Sequence, residues 1–261
     1  MKTLSILGCG WLGKIIALEL KQLNIQVKCS TKSSKLNLDT VEHHFIDINT
    51  VQDLPDSFLN SEMLIISASF KSIKAHEKLI KSITHKGNFE LVILMSSTFV
   101  YENNFAIINE NLLVNNKQSS CIEQCYLNSG IKNLYVFRLG GLVGPERHPG
   151  NFFRPQHNFK NNKDRINLVH ANMISQCVIS VMNKTIPAGV YNIVADEHPL
   201  KHEFYAHAHF DLHGSHANFT VNENQNSNPI KVVSNAKIKR HSGLNFSLSN
   251  YYNFIGQITD K

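Results

Sequence analysis

The sequence predicts an α/β fold, with a doubly wound parallel sheet followed by a small C-terminal lobe. Three observations support this prediction. Strand and helix patterns alternate over roughly the first 140 residues, a glycine-rich turn joins the first strand to the first helix, and the alternation then stops. We therefore predict a core over residues 1–143 and a mixed segment over 144–261, of which about 166–195 completes the core and the rest forms the lobe.

The first half of the chain alternates short apolar runs with amphipathic helices. Residues 3–7 are predicted as the first strand, and residues 11–23 as a helix, because their apolar side chains recur at helical spacing. The run at 90–97 is apolar on both faces, which is typical of the middle of a parallel sheet. Further strands are predicted at 25–29, 43–48, 63–67 and 133–139, and further helices from near residue 50, at 71–84 and at 119–129.

The second half has longer polar stretches between its predicted elements. Residues 144–165 and 213–229 are polar and contain proline, so they are predicted as loops. Ser234 is expected to begin a short helix and Gly243 to end it. The other elements predicted are helices at 168–182 and 202–212 and a strand at 189–194.

Composition limits the possible classes of protein. The chain has 261 residues, of which 42% are hydrophobic, so it can bury a full core without disulfides or structural metal. A net charge of +6 permits anionic ligands. Five cysteines without a repeated spacing, and no signal peptide or long apolar run, predict a cytoplasmic protein with reduced thiols. We expect a small-molecule substrate, no nucleic acid, no membrane, and a monomer or homodimer.

A glycine-rich turn, Gly-Cys-Gly-Trp-Leu-Gly, is the strongest functional signal. Gly8 allows the tight turn, Gly10 lets a pyrophosphate approach the backbone, and Gly13 lets the helix pack on the strand. The amides of Trp11 and Leu12, at the start of the helix, would face the anion. The alternative is a tight turn without a ligand. The position between a first strand and a first helix favours dinucleotide binding in a Rossmann-type fold.

The end of the second predicted strand favours NADP over NAD. An NAD site of this type needs a carboxylate there, but the chain has Ser30, Thr31 and Lys32, and the first carboxylate after this strand is Asp39. Hydroxyl and ammonium groups suit a 2′-phosphate instead, although a solvated loop would have the same composition. The predicted cofactor site also includes the residues that follow the next two strands: Asp47, Ile48, Ser67 and Ala68.

Several segments resemble the extended short-chain dehydrogenase/reductase superfamily, which includes nucleotide-sugar epimerases and dehydratases. They are 96–101 (SSTFVY), 137–150 (FRLGGLVGPERHPG), 167–173 (NLVHANM) and 189–199 (GVYNIVADEHP). Within it, the opening GCGWLG, the GPERHP of 144–149 and the VVSNAKIKR of 232–240 are most similar to an atypical branch, the YeeZ-like proteins. The resemblance covers nearly the whole chain and implies an NAD(P)-binding fold of the extended type.

The resemblance also implies candidate catalytic and substrate-binding residues. Ser97 stands four residues before the tyrosine of a Val-Tyr pair, where the superfamily has a catalytic Ser or Thr, and Tyr101 is that tyrosine. The residues implied to meet the substrate are Arg147, His148, Asn167 and His170. Arg138 is expected to be structural instead.

One feature of the superfamily is missing from the sequence. Its members carry a Tyr-x-x-x-Lys pair, in which the lysine lowers the pKa of the tyrosine so that it can act as a base. If Glu123 matches the glutamate that usually follows this pair, its two positions hold Asn115 and Ser119. Tyr101 and Lys117 are possible substitutes. Two functions stay open: an oxidoreductase or epimerase/dehydratase-like enzyme, and a non-catalytic NADP-binding redox sensor or scaffold.

A cluster of histidines and a pair of cysteines are also considered as candidate sites. Six histidines lie between residues 198 and 216, but no His-Glu-x-x-His pattern accompanies them, so no metal site is expected. Cys121 and Cys125 are one helical turn apart and are expected to share a buried helix face.

Overall fold

The computed structural model describes residues 2–32, 38, 41–50, 53–69, 71–102, 107–112, 114–161, 163–222 and 231–248. The chain forms two compact units that interleave along the sequence. The first unit comprises Met1–Val100, Val114–Arg138 and Ile174–Tyr191, and the second comprises Tyr101–Leu113, Leu139–Met173 and Asn192–Lys261. The domain bounds 1–143 and 144–261 stay a prediction.

The described residues contain strands and helices in the alternation that the sequence predicts. The strands are β1 (Thr3–Leu7), β2 (Gln26–Thr31), β3 (Glu42–Phe45), β4 (Met63–Ile66), β5 (Leu91–Ser97), β6 (Ile107–Ile108), β7 (Leu134–Leu139), β8 (Gly141–Val143), β9 (Asn158–Phe159), β10 (Leu168–His170), β11 (Gly189–Ile193), β12 (Thr220–Val221) and β13 (Val232–Val233). The helices are α1 (Trp11–Lys21), α2 (Asp56–Leu59), α3 (Ile73–Lys86), α4 (Gln118–Leu127), α5 (Ala171–Met182), α6 (Lys201–His213) and α7 (Ala236–Ser242).

Seven strands form the central sheet in the order β11-β7-β5-β4-β1-β2-β3. The pairs β1–β2, β1–β4, β4–β5 and β2–β3 are parallel. The predicted doubly wound α/β fold is therefore confirmed. Helices on both faces bury the central strands, which explains why every residue of β4 and most of β1 and β5 is buried and apolar.

Helix α1 shows how the local sequence produces this architecture. Leu12, Ile16 and Leu20 recur on one face and are buried, while Lys14 on the other face is exposed. The helix begins directly after the glycine turn, so the anion-binding end of α1 follows the carboxyl end of β1.

The second unit has its own aromatic core. Phe159, Phe204 and Tyr205 are buried within it. A Cβ at Gly150 would lie only 2.4 Å from the carbonyl oxygen of Ala208, so the turn at Pro149–Asn151 and helix α6 approach as closely as glycine allows. This unit also contains three pairs of short strands, each strand two or three residues long: β10–β8, β12–β9 and β13–β6.

Some predicted boundaries are wrong. Residues 168–170 form strand β10, because they pair with Gly141–Val143, and the predicted helix begins only at Ala171. The helix predicted from near residue 50 is one turn, Asp56–Leu59. The predicted loops contain the short strands β9 and β12. Asn235 is the residue that precedes α7, while the Ser234 hydroxyl accepts a hydrogen bond from the Ala236 amide at 3.3 Å.

A buried ion pair connects α4 to β7 in the first unit. The Arg138 guanidinium donates from Nε to Glu123 Oε1 at 3.0 Å, and the Ser96 hydroxyl donates to the second carboxylate oxygen. Glu123 is fully buried and Arg138 is 3% exposed. Arg138 is therefore structural, as expected. Among the described residues, none of the helices is both long and apolar enough to span a membrane.

Breaking this ion pair should destabilise the protein strongly. Glu123→Leu or Arg138→Met alone leaves the other charge buried without its partner, and we expect each to lower the free energy of unfolding by about 3–5 kcal/mol. The double variant removes both charges and should recover much of that loss. Urea denaturation of the four proteins measures this. If each single variant loses little free energy of unfolding and the double variant loses the sum of the two, the two charges do not form a stabilising buried pair.

Candidate functional site

Two hydrogen bonds to Ser30 connect the glycine turn to the end of β2. The Cys9 amide donates to the Ser30 carbonyl at 2.6 Å, and the Gly8 amide donates to the Ser30 hydroxyl at 3.1 Å. Gly8 has a φ of +84°, and a Cβ there would lie 2.8 Å from the backbone of Ala68. Only glycine fits this position, because both the backbone angle and the space exclude a side chain.

The other two glycines differ in their surroundings. A Cβ at Gly13 would lie 3.3 Å from Ile6, so this glycine allows the close packing of α1 on β1. A Cβ at Gly10 would have no atom within 4 Å. The first turn of α1, with Trp11 and Leu12, has neither a side-chain cap nor an acidic residue. An open backbone and an uncompensated helix N-terminus together suit a phosphate group.

The hydroxyl and ammonium groups at the end of β2 each have a partner on the segment that follows or includes β3. Thr31 Oγ1 lies 2.8 Å from Nε2 of His43, and Lys32 Nζ lies 3.2 Å from a carboxylate oxygen of Asp47. A hydrogen bond from the Asn49 backbone amide is the main cause that lowers the pKa of Asp47, and Lys32 contributes to the same shift. Asp39 and residues 33–37 lie outside the described residues.

The segment after β4 lies directly beside the glycine turn. The Ser67 amide donates to the Leu7 carbonyl at 2.8 Å, which extends the pairing with β1. Residue 68 then makes the close approach to Gly8. Thus Ser67 and Ala68, both predicted in the cofactor site, do lie at the turn, while their contact with a cofactor stays a prediction.

A buried histidine, His76, contacts the segment that follows β4. His76 Nε2 lies 3.3 Å from the Ser69 carbonyl oxygen, and the Tyr126 hydroxyl lies 2.9 Å from His76 Nδ1. Burial lowers the pKa of His76 and raises that of Tyr126 well above its usual value. Neither residue was predicted from the sequence. No local pattern could have found them, since the three residues come from α3, α4 and the segment after β4.

The turn after β5 is held by Asn115. The Asn115 amide nitrogen of the backbone donates to the Val100 carbonyl at 2.7 Å, and its side-chain Nδ2 donates to the Phe99 carbonyl at 2.7 Å. The Ser120 hydroxyl donates to Asn115 Oδ1 at 2.7 Å. Ser97, half-buried at the end of β5, accepts a hydrogen bond from the Phe99 amide at 3.2 Å. The side chain of Asn115 is therefore used as a structural brace.

Tyr101 is buried in the second unit. Its side chain is 1% exposed, and its hydroxyl donates to Asn192 Oδ1 at 2.6 Å. Asn192 Nδ2 in turn donates to the Ser234 carbonyl at 3.1 Å. This network connects Tyr101 to the VVSN segment within the second unit. The catalytic role of Tyr101 stays a prediction.

Two of the predicted substrate residues lie on the loop after β8. Arg147 Nε donates to the Leu142 carbonyl at 2.9 Å, and its guanidinium carbon lies 5.6 Å from the centre of the Phe152 ring. His148 is 6% exposed, and its Nδ1 accepts a hydrogen bond from the Gly150 amide at 3.0 Å. Arg147 retains the exposure that an anion-binding role needs, whereas His148 begins a short 3-10 turn.

Of the other two, Asn167 directly precedes β10 and His170 is its last residue. Asn167 donates to the Lys231 carbonyl at 3.0 Å and accepts from the Val233 amide at 2.7 Å, so it fixes strand β13. Nδ1 of His170 accepts from the Asn172 amide at 3.2 Å at the start of α5. Burial lowers the pKa of His170 to about 4, so the ring is neutral at pH 7. Substrate contact by all four residues stays a prediction.

The chain is similar to known proteins in sequence and in structure. No family model matches the chain. Protein YeeZ of Escherichia coli K12 is 27% identical over 228 residues, which are 78% of this chain and 82% of YeeZ. The Bordetella bronchiseptica enzyme WbmG, solved with NAD and UDP, has a TM-score of 0.78 at 13% identity and covers 99% of this chain and 94% of its own. UDP-N-acetylglucosamine 4-epimerase from Bacillus cereus has a TM-score of 0.73 at 14% identity, with 99% and 95% covered.

The chain has the fold of these two solved structures and is similar in sequence to YeeZ. The resemblance stated from its motifs is thereby confirmed. Dinucleotide binding at the glycine turn, which joins β1 to α1, stays a prediction.

The clustered histidines include two neighbouring rings that are tilted relative to each other by 39°. The rings of His209 and His213 have centroids 4.4 Å apart, and both residues line a cavity of about 610 Å³ with Phe152 and Phe153. Over the described ranges, no group of three or more His, Cys, Asp or Glu side chains is placed to hold a metal ion.

The neutral state of His170 should appear in the pH dependence of stability. Unfolded, this histidine binds a proton below about pH 6.5, but the folded state binds it only near pH 4, so stability falls as the pH drops through that window. We expect His170 to account for about 3 kcal/mol of that fall. His170→Asn keeps an acceptor for the Asn172 amide and should flatten the curve.

Urea denaturation between pH 4 and pH 8 measures this dependence. The exposed His216→Asn is the matched control and should leave the curve unchanged. If His170→Asn and wild type have the same pH slope, the assigned pKa is wrong.

Proposed function

We propose that this chain binds NADP at the glycine turn of its first unit and acts on a small anionic or nucleotide-sugar substrate as an NAD(P)-dependent oxidoreductase or epimerase/dehydratase-like enzyme. The open backbone at Gly10, at the uncapped start of α1, is the observation that carries the proposal. With no side chain at Gly10, a pyrophosphate could approach this backbone closely. WbmG, which shares the fold, was solved with NAD and UDP.

The end of β2 supports NADP over NAD. Lys32 is 70% exposed at its side chain and lies where the ribose hydroxyl or its phosphate would be held. Among the described residues Ser30, Thr31 and Lys32 there is no carboxylate to accept a ribose hydroxyl. The Asp47 carboxylate lies 3.2 Å from Lys32 Nζ and is paired with it, so the negative charge of Asp47 is compensated.

The chemistry would combine hydride transfer with orientation by the protein. When bound, the nicotinamide ring supplies reversible hydride transfer. Ser97 would orient a substrate hydroxyl or carbonyl. Its Oγ accepts a hydrogen bond from the Phe99 amide, and a hydroxyl that accepts in this way can still donate its own proton to a substrate. In the second unit, Arg147 would pair with a phosphate or carboxylate of the substrate.

A second candidate is a non-catalytic NADP-binding sensor or scaffold. It is favoured by Asn115, which occupies the position that the resemblance gives to the catalytic tyrosine and uses its side chain on the Phe99 carbonyl and on Ser120. Tyr101 is buried, and Ser119 has no charge to lower the pKa of a neighbouring base. Loss of general acid–base help costs about 10²–10⁴ in rate.

Binding and turnover distinguish these two candidates. Thermal shift with NADPH tests both, because a ligand that binds only the folded state must raise the melting temperature. Turnover on nucleotide-sugar and small carbonyl substrates at saturating NADP or NADPH favours the enzyme. Saturable NADPH binding without turnover across such a panel favours the sensor, and no shift with either NADPH or NADH would refute both.

Two glycine variants separate ligand binding from folding. Gly10→Ala adds a methyl group in open space, so it should change the free energy of unfolding by no more than about 1 kcal/mol. The same methyl group obstructs a pyrophosphate, and NADPH affinity should fall at least about tenfold. Gly8→Ala is the folding control, expected to cost at least about 2 kcal/mol because of its positive φ and the contact with Ala68. Unchanged NADPH affinity in Gly10→Ala would place the cofactor elsewhere.

A charge variant tests the preference for NADP. Lys32→Gln removes a cation that would pair with the 2′-phosphate, so NADPH affinity should fall about three- to tenfold while NADH affinity stays within about twofold. Fluorescence titration of both nucleotides measures it. Lys14→Gln, an exposed lysine on α1, is the control for general charge. Equal losses for both nucleotides would refute the phosphate assignment.

A further inference from the structure

The contact between Thr31 and His43 lies at the end of β2, beside the glycine turn. We propose that His43 determines the preference for NADPH over NADH by orienting the Thr31 hydroxyl toward the 2′-phosphate, which rests on the proposed NADP binding. His43 is a positioning residue in this arrangement, and Thr31 is the group that touches the phosphate.

Strand register brings the two side chains together. Strands β2 and β3 pair in parallel, with Cys29 opposite His43 and Thr31 opposite Phe45. The His43 ring extends along this pair until its Nε2 lies 2.8 Å from Thr31 Oγ1. It also meets the Phe45 ring edge to face, with centroids 4.5 Å apart and an angle of 89°, which restricts its rotation. The imidazole therefore presents a fixed nitrogen to the hydroxyl.

Thr31 is held at a fixed place relative to the glycine turn. It directly follows Ser30, whose carbonyl and hydroxyl bind the amides of Cys9 and Gly8. In a dinucleotide-binding fold, the residue that ends the second strand meets the ribose of the adenosine, where NADP differs from NAD by one phosphate. The Thr31 hydroxyl is thus placed by the same contacts that shape the pyrophosphate turn.

Hydrogen-bond chemistry gives the histidine its effect. When His43 Nε2 carries a proton, it donates to Thr31 Oγ1, and the threonine proton is then directed away from the ring toward an acceptor. A phosphate monoester supplies three acceptor oxygens and a charge of about −1.5 to −2, so it is a strong acceptor for the threonine proton. Lys32 adds a cation beside the hydroxyl, and its ammonium group lies 3.2 Å from a carboxylate oxygen of Asp47. A ribose hydroxyl offers no such charge, so NADH gains little.

The neighbouring histidine provides a matched control. His44 follows His43 on β3, so its side chain points to the opposite face of the sheet. Its ring meets Phe58 with centroids 5.2 Å apart, and its Nε2 lies 2.8 Å from Glu42 Oε1. A variant at His44 perturbs the same strand without touching Thr31.

The experiment measures dissociation constants for NADPH and NADH by fluorescence titration of the full chain. His43→Phe keeps a ring against Phe45 but removes the nitrogen, and we expect NADPH affinity to fall about tenfold with NADH within about twofold. Thr31→Val should give the same selective loss. The double variant should lose no more than either single variant, because both remove one relay. His43→Gln, which retains a donor, should restore part of the preference, and His44→Phe should leave the ratio unchanged.

Four outcomes would overturn the inference: an NADPH-to-NADH ratio unchanged by His43→Phe, additive losses in the double variant, an equal shift in His44→Phe, or no preference for NADPH in the wild type. In each of them nucleotide binding itself stands. If the wild type binds neither nucleotide, the proposed function fails as well, so the two failures are distinguishable. If His43→Phe does not fold, the NADPH-to-NADH affinity ratios of Thr31→Val and His43→Gln test the inference instead.

Discussion

The hydrogen bonds of Ser30 to the glycine turn are the constraint on which the candidate site depends. Its carbonyl and hydroxyl accept the amides of Cys9 and Gly8, so the turn after β1 is fixed to the end of β2. Ala68, which follows β4, approaches Gly8 so closely that a Cβ there would lie 2.8 Å from its backbone, and the Ser67 amide donates to the Leu7 carbonyl. Because Ser30 is fully buried, these hydrogen bonds do not compete with water. Three strand ends are thereby held in one arrangement.

Much of the fold could be predicted because it is encoded locally. The glycine turn, the apolar strands and the periodicity of α1 each show within a dozen residues, and all three are found in the structure. The contacts of His76 with Tyr126 and Ser69 could not be predicted, since they join residues 50 and 7 positions apart through tertiary packing. Strand β10 was missed for the same reason: its partner β8 determines its conformation.

The candidate substrate residues illustrate a limit of inference from motifs. A motif records which residue stands at a position, but a polar side chain at that position must also satisfy its hydrogen bonds when it is buried. Asn167 uses both ends of its amide on β13, and His148 uses Nδ1 on its own turn. Asn167 and His148, two residues of the motifs that resemble the superfamily, therefore help to hold the second unit together. Arg147, which is exposed, differs from them in this respect.

The brace formed by Asn115 restricts which side chains can stand at position 115. A phenol there could not reproduce the amide that donates to the Phe99 carbonyl and accepts from the Ser120 hydroxyl, so a tyrosine at this position would loosen the turn after β5. The integrity of this turn and a phenolic base at position 115 therefore exclude each other. Any proton transfer on a ligand of this protein would have to use a different side chain.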